Sequence, residues 1–172
     1  NYLAIDTSGA HLTVIAERGD GKGLYIYFDE NCALRHSVEL MTAVDKTLSL
    51  ANLKKEEVDV FCAVTGPGSF TGIRIGISTA KALAYALKKK VLAVTSFDVL
   101  AYNMITADTL ALVDAKHSHA YTAGYSGGKT DIPPAYTELK EIPELQKGRK
   151  IIYSSPIDGV EGEVVSLTEG LR

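Results

Sequence analysis

The stretch Gly66-Pro67-Gly68-Ser69-Phe70-Thr71-Gly72 separates a mostly apolar run, Val58 to Val64, from a segment of helical periodicity running from about Ile73 to Leu87. Three glycines open backbone conformations closed to other residues, and Pro67 stiffens the entry. A strand that hands over to a helix through a glycine-rich turn is a unit of α/β architecture, so this loop narrows the fold more than any other feature. Ser69 or Thr71 can cap the helix, whose first N–H groups suit an anion. The loop is not a Walker A motif, because Ile73-Arg74 stands where Lys-Ser/Thr is needed. Residue types alone leave two readings open, a phosphate cradle and a tight turn that binds nothing.

The flanking sequence supplies the rest of an α/β lobe. Tyr2 to Asp6 is a short apolar run, Leu12, Val14 and Ala16 alternate with polar neighbours, and Leu24 to Phe28 is aromatic and β-branched. These read as antiparallel strands. The period then changes: Ser37, Met41, Val44 and Leu48 recur at helical spacing, Leu40 and Ala51 widen the stripe, and Asn52 offers a stop. Val91 to Thr95 reads as a further buried strand, with Ser96 capping the next helix. Three meander strands followed by helix–strand alternation predict a mixed sheet of ribonuclease-H-like or actin-like type. An internal echo supports it: Leu3-Ala4-Ile5-Asp6-Thr7 resembles Leu110-Ala111-Leu112-Val113-Asp114-Ala115, and each is followed by a polar turn and an alternating strand. The second copy is short, broken by Pro133-Pro134, Pro143 and Pro156, with Lys150 to Tyr153 its clear later strand. The expected division is an N-terminal lobe of residues 1–105 and a smaller C-terminal lobe of residues 106–172.

Composition excludes several classes. Hydrophobic residues make up 46% of the 172 and charged residues 23%, so disorder and coiled-coil composition are out. Eighteen Lys and Arg against 21 Asp and Glu give a net charge of -3, without the basic footprint of an independent nucleic-acid binder. Cys32 and Cys62 are far apart and show no Cys-x-x-Cys spacing, which argues against a disulfide framework or structural zinc and favours a reducing interior. No apolar run approaches the roughly 20 residues of a membrane helix, and Asp6 interrupts the N-terminal apolar stretch before it could form a signal-peptide core. The expected location is the cytoplasm.

Candidate chemistry concentrates in two places. In Asp6-Thr7-Ser8-Gly9 a strand-terminal carboxylate precedes hydroxyls and a glycine, able to hold a metal-bound water and offer N–H groups to phosphate. The same residues also form an Asx-type hairpin turn unaided. With Gly66 and Gly68 they make a possible weak nucleotide site, without a lysine visibly placed for phosphates. The second place is the helix after the glycine loop, where Gly72, Gly76, Ala80 and Ala84 form a stripe of small residues beside Ile73 and Ile77. Such a stripe admits close helix approach, either onto the protein's own sheet or onto a second chain. His117 and His119 lie on one face of any strand there but have no carboxylate motif. Position four after His36 is Leu40, so no His-x-x-x-His pair forms and no metal site is expected. Ser69 lies in Gly-Ser-Phe-Thr-Gly, not in a nucleophile elbow, and no nucleophile–base pair can be assembled. No catalytic residue is expected.

Asp6-Thr7-Ser8, Arg35-His36-Ser37, the loop Gly66 to Gly72 continuing as Ile73-Arg74-Ile75-Gly76, and Asp114-Ala115-Lys116 occur in an order that resembles the bacterial TsaB (YeaZ) family. The resemblance covers residues 2 to 116 well and the remainder weakly. It implies a duplicated actin-like, ribonuclease-H-like (ASKHA) fold with a reduced second lobe. It also implies a non-catalytic scaffold in the making of threonylcarbamoyladenosine (t6A) in tRNA. The implied partners are a catalytic TsaD-like paralogue, a TsaE-like ATPase that uses ATP, and a second copy of the chain, with tRNA reached only through the complex. The paralogue carries a His-x-x-x-His segment where this chain reads Val91-Leu92-Ala93-Val94-Thr95-Ser96-Phe97-Asp98. The implied interface uses the helix from His36 to Ala51 (Leu40, Met41, Val44, Leu48) and the helix from Ile73 to Leu87 (Gly72, Ile73, Gly76, Ile77, Ala80, Ala84). The alternatives are a self-sufficient actin-like ATPase or sugar kinase built on Asp6 and the glycine loop, and a peptidase. Ala115-Lys116 in place of a second Thr-Ser argues against the kinase.

Overall fold

Strand β1 (Tyr2–Asp6) lies at the middle of a five-stranded sheet, and its neighbours explain why nearly every residue in it is apolar. In the computed structural model, which describes residues 1–172, β1 pairs antiparallel with β2 (Leu12–Glu17), setting Leu3 opposite Ala16 and Asp6 opposite Thr13. On its other side it pairs parallel with β4 (Val60–Val64). Strand β3 (Leu24–Asp29) closes one edge and β5 (Lys90–Val94) the other, giving the order β3-β2-β1-β4-β5. Leu3, Ile5, Leu12, Val14, Phe61 and Ala63 share one core with helices α1 (His36–Leu50) and α2 (Phe70–Leu87). Strands covered on both faces lose the clean alternation of a half-exposed sheet, which is why Thr13 and Ile15 are as buried as Leu12 and Val14.

Three expectations change here. The buried stripe of α1 is His36, Leu40, Ala43, Val44, Thr47 and Leu48, rotated by one residue from the expected one, so Ser37 and Met41 face outward. The polar types of His36 and Thr47 disguise the stripe; Thr47 is accommodated because its hydroxyl donates to the Ala43 carbonyl at 2.6 Å. Leu40, Val44 and Leu48, expected at an interface, are core residues, and so are Ala80 and Ala84 of α2. Strand β5 is not buried: as an edge strand it leaves Val91 and Leu92 about half exposed (48% and 51%).

The chain divides into two units, residues 1–95 with Leu171–Arg172 and residues 96–170. The boundary therefore precedes α3 (Ser96–Tyr102) instead of following Ile105, because Phe97, Leu100 and Ala101 cluster with Ala111, Tyr125 and Ile152 of the second unit. Ser96 is the first residue of α3, not the one before it. The second sheet contains β6 (Thr109–Lys116), β7 (His119–Ser126), β8 (Lys129–Glu138), β9 (Lys150–Tyr153) and β10 (Glu163–Val164), ordered β10-β9-β6-β7-β8. It repeats the first sheet strand for strand, with β6 in the role of β1 and Asp114 opposite Ala120 as Asp6 is opposite Thr13. This is the duplicated actin-like architecture with its second lobe reduced. Where the first unit has the 15-residue α1, the second has the five-residue α4 (Ile142–Gln146), and no helix joins β9 to β10. Strand β8 is not apparent in the sequence because of Pro133-Pro134; it is an edge strand, where a missing N–H leaves no hole in the ladder. No helix is long and apolar enough to cross a membrane.

The β6–β7 hairpin turns through His117 and Ser118, and φ is positive at Lys116, His117 and Ser118 (65°, 52° and 59°). Two-residue hairpin links want positive φ, but side chains at such positions carry a penalty of about 1–2 kcal/mol each. Ser118→Gly is expected to raise stability by up to about 1 kcal/mol, read as a higher midpoint in urea.

Candidate functional site

Asp6 ends β1 with its side chain 1% exposed. Its Oδ1 accepts from the Ser8 N–H at 2.8 Å and its Oδ2 pairs with His11 Nε2 at 3.0 Å. The imidazole of His11 lies over Gly9, where a Cβ would meet ring atoms at 2.6 Å, and it stacks on Phe28 with centroids 6.1 Å apart. His36, the first residue of α1, donates from Nε2 to the His11 carbonyl at 2.7 Å. Burial alone would push the Asp6 carboxyl up; the hydrogen bond and charge of His11, with the donors of Ser8, outweigh it and hold the carboxyl below its ordinary range. On the neighbouring strand the Cys62 thiol is pushed up to about 11, by burial first and then by the Asp6 charge. The Thr13 hydroxyl, opposite Asp6, is buried without a partner.

The glycine loop packs directly on this turn. The Ser69 N–H donates to the Ser8 carbonyl at 2.6 Å, and the Thr7 hydroxyl donates to the Gly72 carbonyl at 2.7 Å. A Cβ at Gly68 would lie 2.2 Å from the Ser8 oxygen and one at Gly72 only 1.9 Å from the Thr7 oxygen, so no larger residue fits either position. At Gly76 a Cβ would meet the Thr7 hydroxyl at 2.5 Å. Ser69 is the helix cap, its Oγ accepting from the Gly72 N–H at 3.3 Å. The glycines thus serve a close approach of backbone to backbone. Asp6, Thr7, Ser8 and Gly68 are brought together, and Gly66 packs against the Ile73 side chain.

The stripe Gly72, Gly76, Ala80 and Ala84 faces inward and is buried along its length. Of the two open readings, packing on the protein's own sheet is the one realised. Ile73 and Ile77 are half-buried beside it. The outward faces of the two helices carry Val38 and Met41 on α1, and Phe70, Arg74 and Tyr85 on α2. The Arg74 guanidinium lies 5.3 Å from the Phe70 ring centroid.

At the equivalent turn of the second unit, Asp114 takes the Lys116 N–H at 2.8 Å and the Lys116 ammonium. Burial pushes its carboxyl up, and Lys116 more than reverses that. His119 Nδ1 donates to the His117 carbonyl, and its ring stacks on Tyr136 at 4.5 Å. The residue that sequence reasoning overlooked is His11. Its signal is the His five positions after a strand-terminal Asp, with a glycine between to make room for the ring.

Residues 30–155 match the family described as TsaD, tRNA N6-adenosine threonylcarbamoyltransferase. The tRNA threonylcarbamoyladenosine biosynthesis protein TsaB of Bacillus subtilis is 37% identical over 127 residues, 72% of this chain and 54% of that protein. The protein of the same name from Buchnera aphidicola subsp. Schizaphis graminum is 30% identical over 132 residues, 74% of this chain and 61% of that protein. A Pseudomonas aeruginosa crystal structure, described as similar to peptidase YeaZ, aligns with a TM-score of 0.75 at 26% identity, covering 88% of this chain and 74% of that one. The chain spans somewhat more than half the length of the curated relatives it matches.

Asp6 has a folded pKa below its unfolded value of about 3.9, so its contribution to stability is present above that pH and is lost as pH falls through the folded value. Asp6→Asn should cost roughly 2 kcal/mol near neutral pH, and the gap from the parent should narrow toward pH 3; urea titrations at the two pH values measure it. Gly76→Leu and Ala80→Arg place bulk or charge inside the core, so they should unfold the first unit, seen as loss of cooperative melting, instead of acting on association.

Proposed function

The chain belongs to the TsaB (YeaZ) family, and from that premise we propose that it serves tRNA threonylcarbamoyladenosine biosynthesis in the cytoplasm as a non-catalytic scaffold. In this role it pairs with a TsaD-like catalytic paralogue, a TsaE-like ATPase joins the pair, and tRNA is reached through the complex. The observation that carries the non-catalytic reading is the closure of Asp6. Both carboxylate oxygens are engaged, one by His11 and one by Ser8. The N–H groups of Ser8, Ser69 and Gly72 are bonded to Asp6, the Ser8 carbonyl and the Ser69 hydroxyl. A phosphate at the turn would have to displace these bonds, so any nucleotide is weakly held and the chain carries no resident cofactor. The same bonds weigh against the kinase reading, and the capping role of Ser69 weighs against the peptidase reading.

The partner surface is the outer face of α1 and α2. Val38, Met41, Phe70 and Tyr85 are exposed apolar side chains on it, with Ile73 and Ile77 at its floor. A second copy would use the face isologously, and the paralogue, with a like lobe, would compete for it. Val38→Glu combined with Phe70→Glu should weaken pairing with the paralogue by at least about tenfold, equivalent to about 1.4 kcal/mol, with circular dichroism unchanged. Mixing the chain with the paralogue and following sedimentation velocity measures this. Threonylcarbamoylation of tRNA by this chain alone, with activated substrate supplied, would overturn the scaffold reading.

A further inference from the structure

Strand β5 is an edge with unusual chemistry for an edge. Of the other three edges, β8 carries Pro133-Pro134 and β10 is two residues long, while β3 is open but keeps Tyr25 and Tyr27 against the core. Strand β5 is regular, pairs with β4 through all five residues, and after Lys90 is wholly apolar: Val91-Leu92-Ala93-Val94. Val91 and Leu92 point to opposite faces of the sheet and both are about half exposed, so each face of the strand is only partly covered. The direction of its backbone groups follows from two bonds. The Lys90 N–H donates to the Asp59 carbonyl at 3.3 Å and the Val94 carbonyl accepts from the Thr65 N–H at 2.8 Å, so even-numbered residues bond toward β4. By alternation, the N–H and C=O of Val91 and Ala93 face away from the sheet. At the start of this open ladder stand Lys88, Lys89 and Lys90; Lys89 lies near Asp59 at 3.7 Å, and Lys88 and Lys90 are exposed.

We propose that β5 receives an extended segment of a partner protein as a sixth, antiparallel strand, apolar at alternate positions and acidic at its C-terminal end. The open N–H and C=O groups of Val91 and Ala93 supply the main-chain bonds, the exposed face of Leu92 receives the alternate apolar side chains, and the intervening positions lie beside Val91. Antiparallel pairing sets the C-terminal end of the incoming segment against Lys88 and Lys90, where carboxylates complement them. A second copy of β5 would bring no acid to these lysines, which is why the occupant is a foreign acidic segment. The surface is separate from the outer face of α1 and α2, so it does not depend on the scaffold reading.

The test uses the whole chain and a fluorescent peptide of alternating valine and threonine that ends in two glutamates, with a control ending in two lysines. Fluorescence anisotropy should show saturable binding of the acidic probe that weakens with salt, and hydrogen exchange should slow at the amides of Val91 and Ala93. Ala93→Pro removes an outward donor that β4 does not use, so the sheet survives and binding should fall at least about tenfold. Lys90→Glu, a surface change that leaves the ladder intact, should reverse the preference between the probes. Absence of saturable binding, equal binding of the two peptides, or indifference to both variants would overturn the proposal. Self-association of the chain that Ala93→Pro abolishes would overturn it too, assigning the edge to a second copy.

Discussion

The contact on which the rest of the first unit depends is the approach of the Thr7–Ser8 backbone to the glycine loop. Gly68 and Gly72 meet carbonyl oxygens at distances that leave no room for a Cβ, and two hydrogen bonds, Ser69 to Ser8 and Thr7 to Gly72, fix the two segments together. Because the loop is also the entry to α2, this contact fixes where the helix begins and which way it is rotated. With Gly76 against Thr7 and Ile5, the inward face continues through Ala80 and Ala84. The outward face is then decided, leaving Phe70, Arg74 and Tyr85 in solvent. One steric fact thus sets both the packing of the loop on the turn and the residues that α2 leaves exposed.

A second chain of interactions ties the other helix to the same turn. Asp6 holds His11, the His11 carbonyl accepts from His36, and His36 opens α1. A carboxylate this deeply buried is tolerable only with such partners. The arrangement satisfies both oxygens of Asp6 internally.

Much of the fold was legible in the sequence because its signals are local. The meander, α1 and α2 follow from periodicity and from the punctuation of Asn52 and the glycine loop. The repeat was visible in two apolar strands ending in Asp, and the matching strand orders give it a physical basis. What escaped depends on tertiary context. The phase of the α1 stripe is hidden in the sequence because His36 and Thr47 look like surface residues, and their burial rests on bonds to His11 and Ala43. The exposure of β5 could not be read from Val91 to Val94, because an edge strand and a central strand share a composition. Strand β8 was hidden by prolines that only an edge permits. The small-residue stripe declared that something approaches closely, and composition could not say whether that was the protein's own Thr7 or another chain. The role of His11 is not legible in the sequence because it depends on a hairpin register that sets it beside Asp6.

The parallel pairing of β1 with β4 also sets the order in which the first unit can assemble. Strands β1, β2 and β3 close through short links and can form as soon as they are made, but β1 stays open on one side until Val60–Val64 arrives past the whole of α1. Long-range closure of this kind is slow relative to hairpin formation. On the ribosome, the newly made meander therefore presents Leu3, Ile5 and the unpaired ladder of β1 before their cover exists.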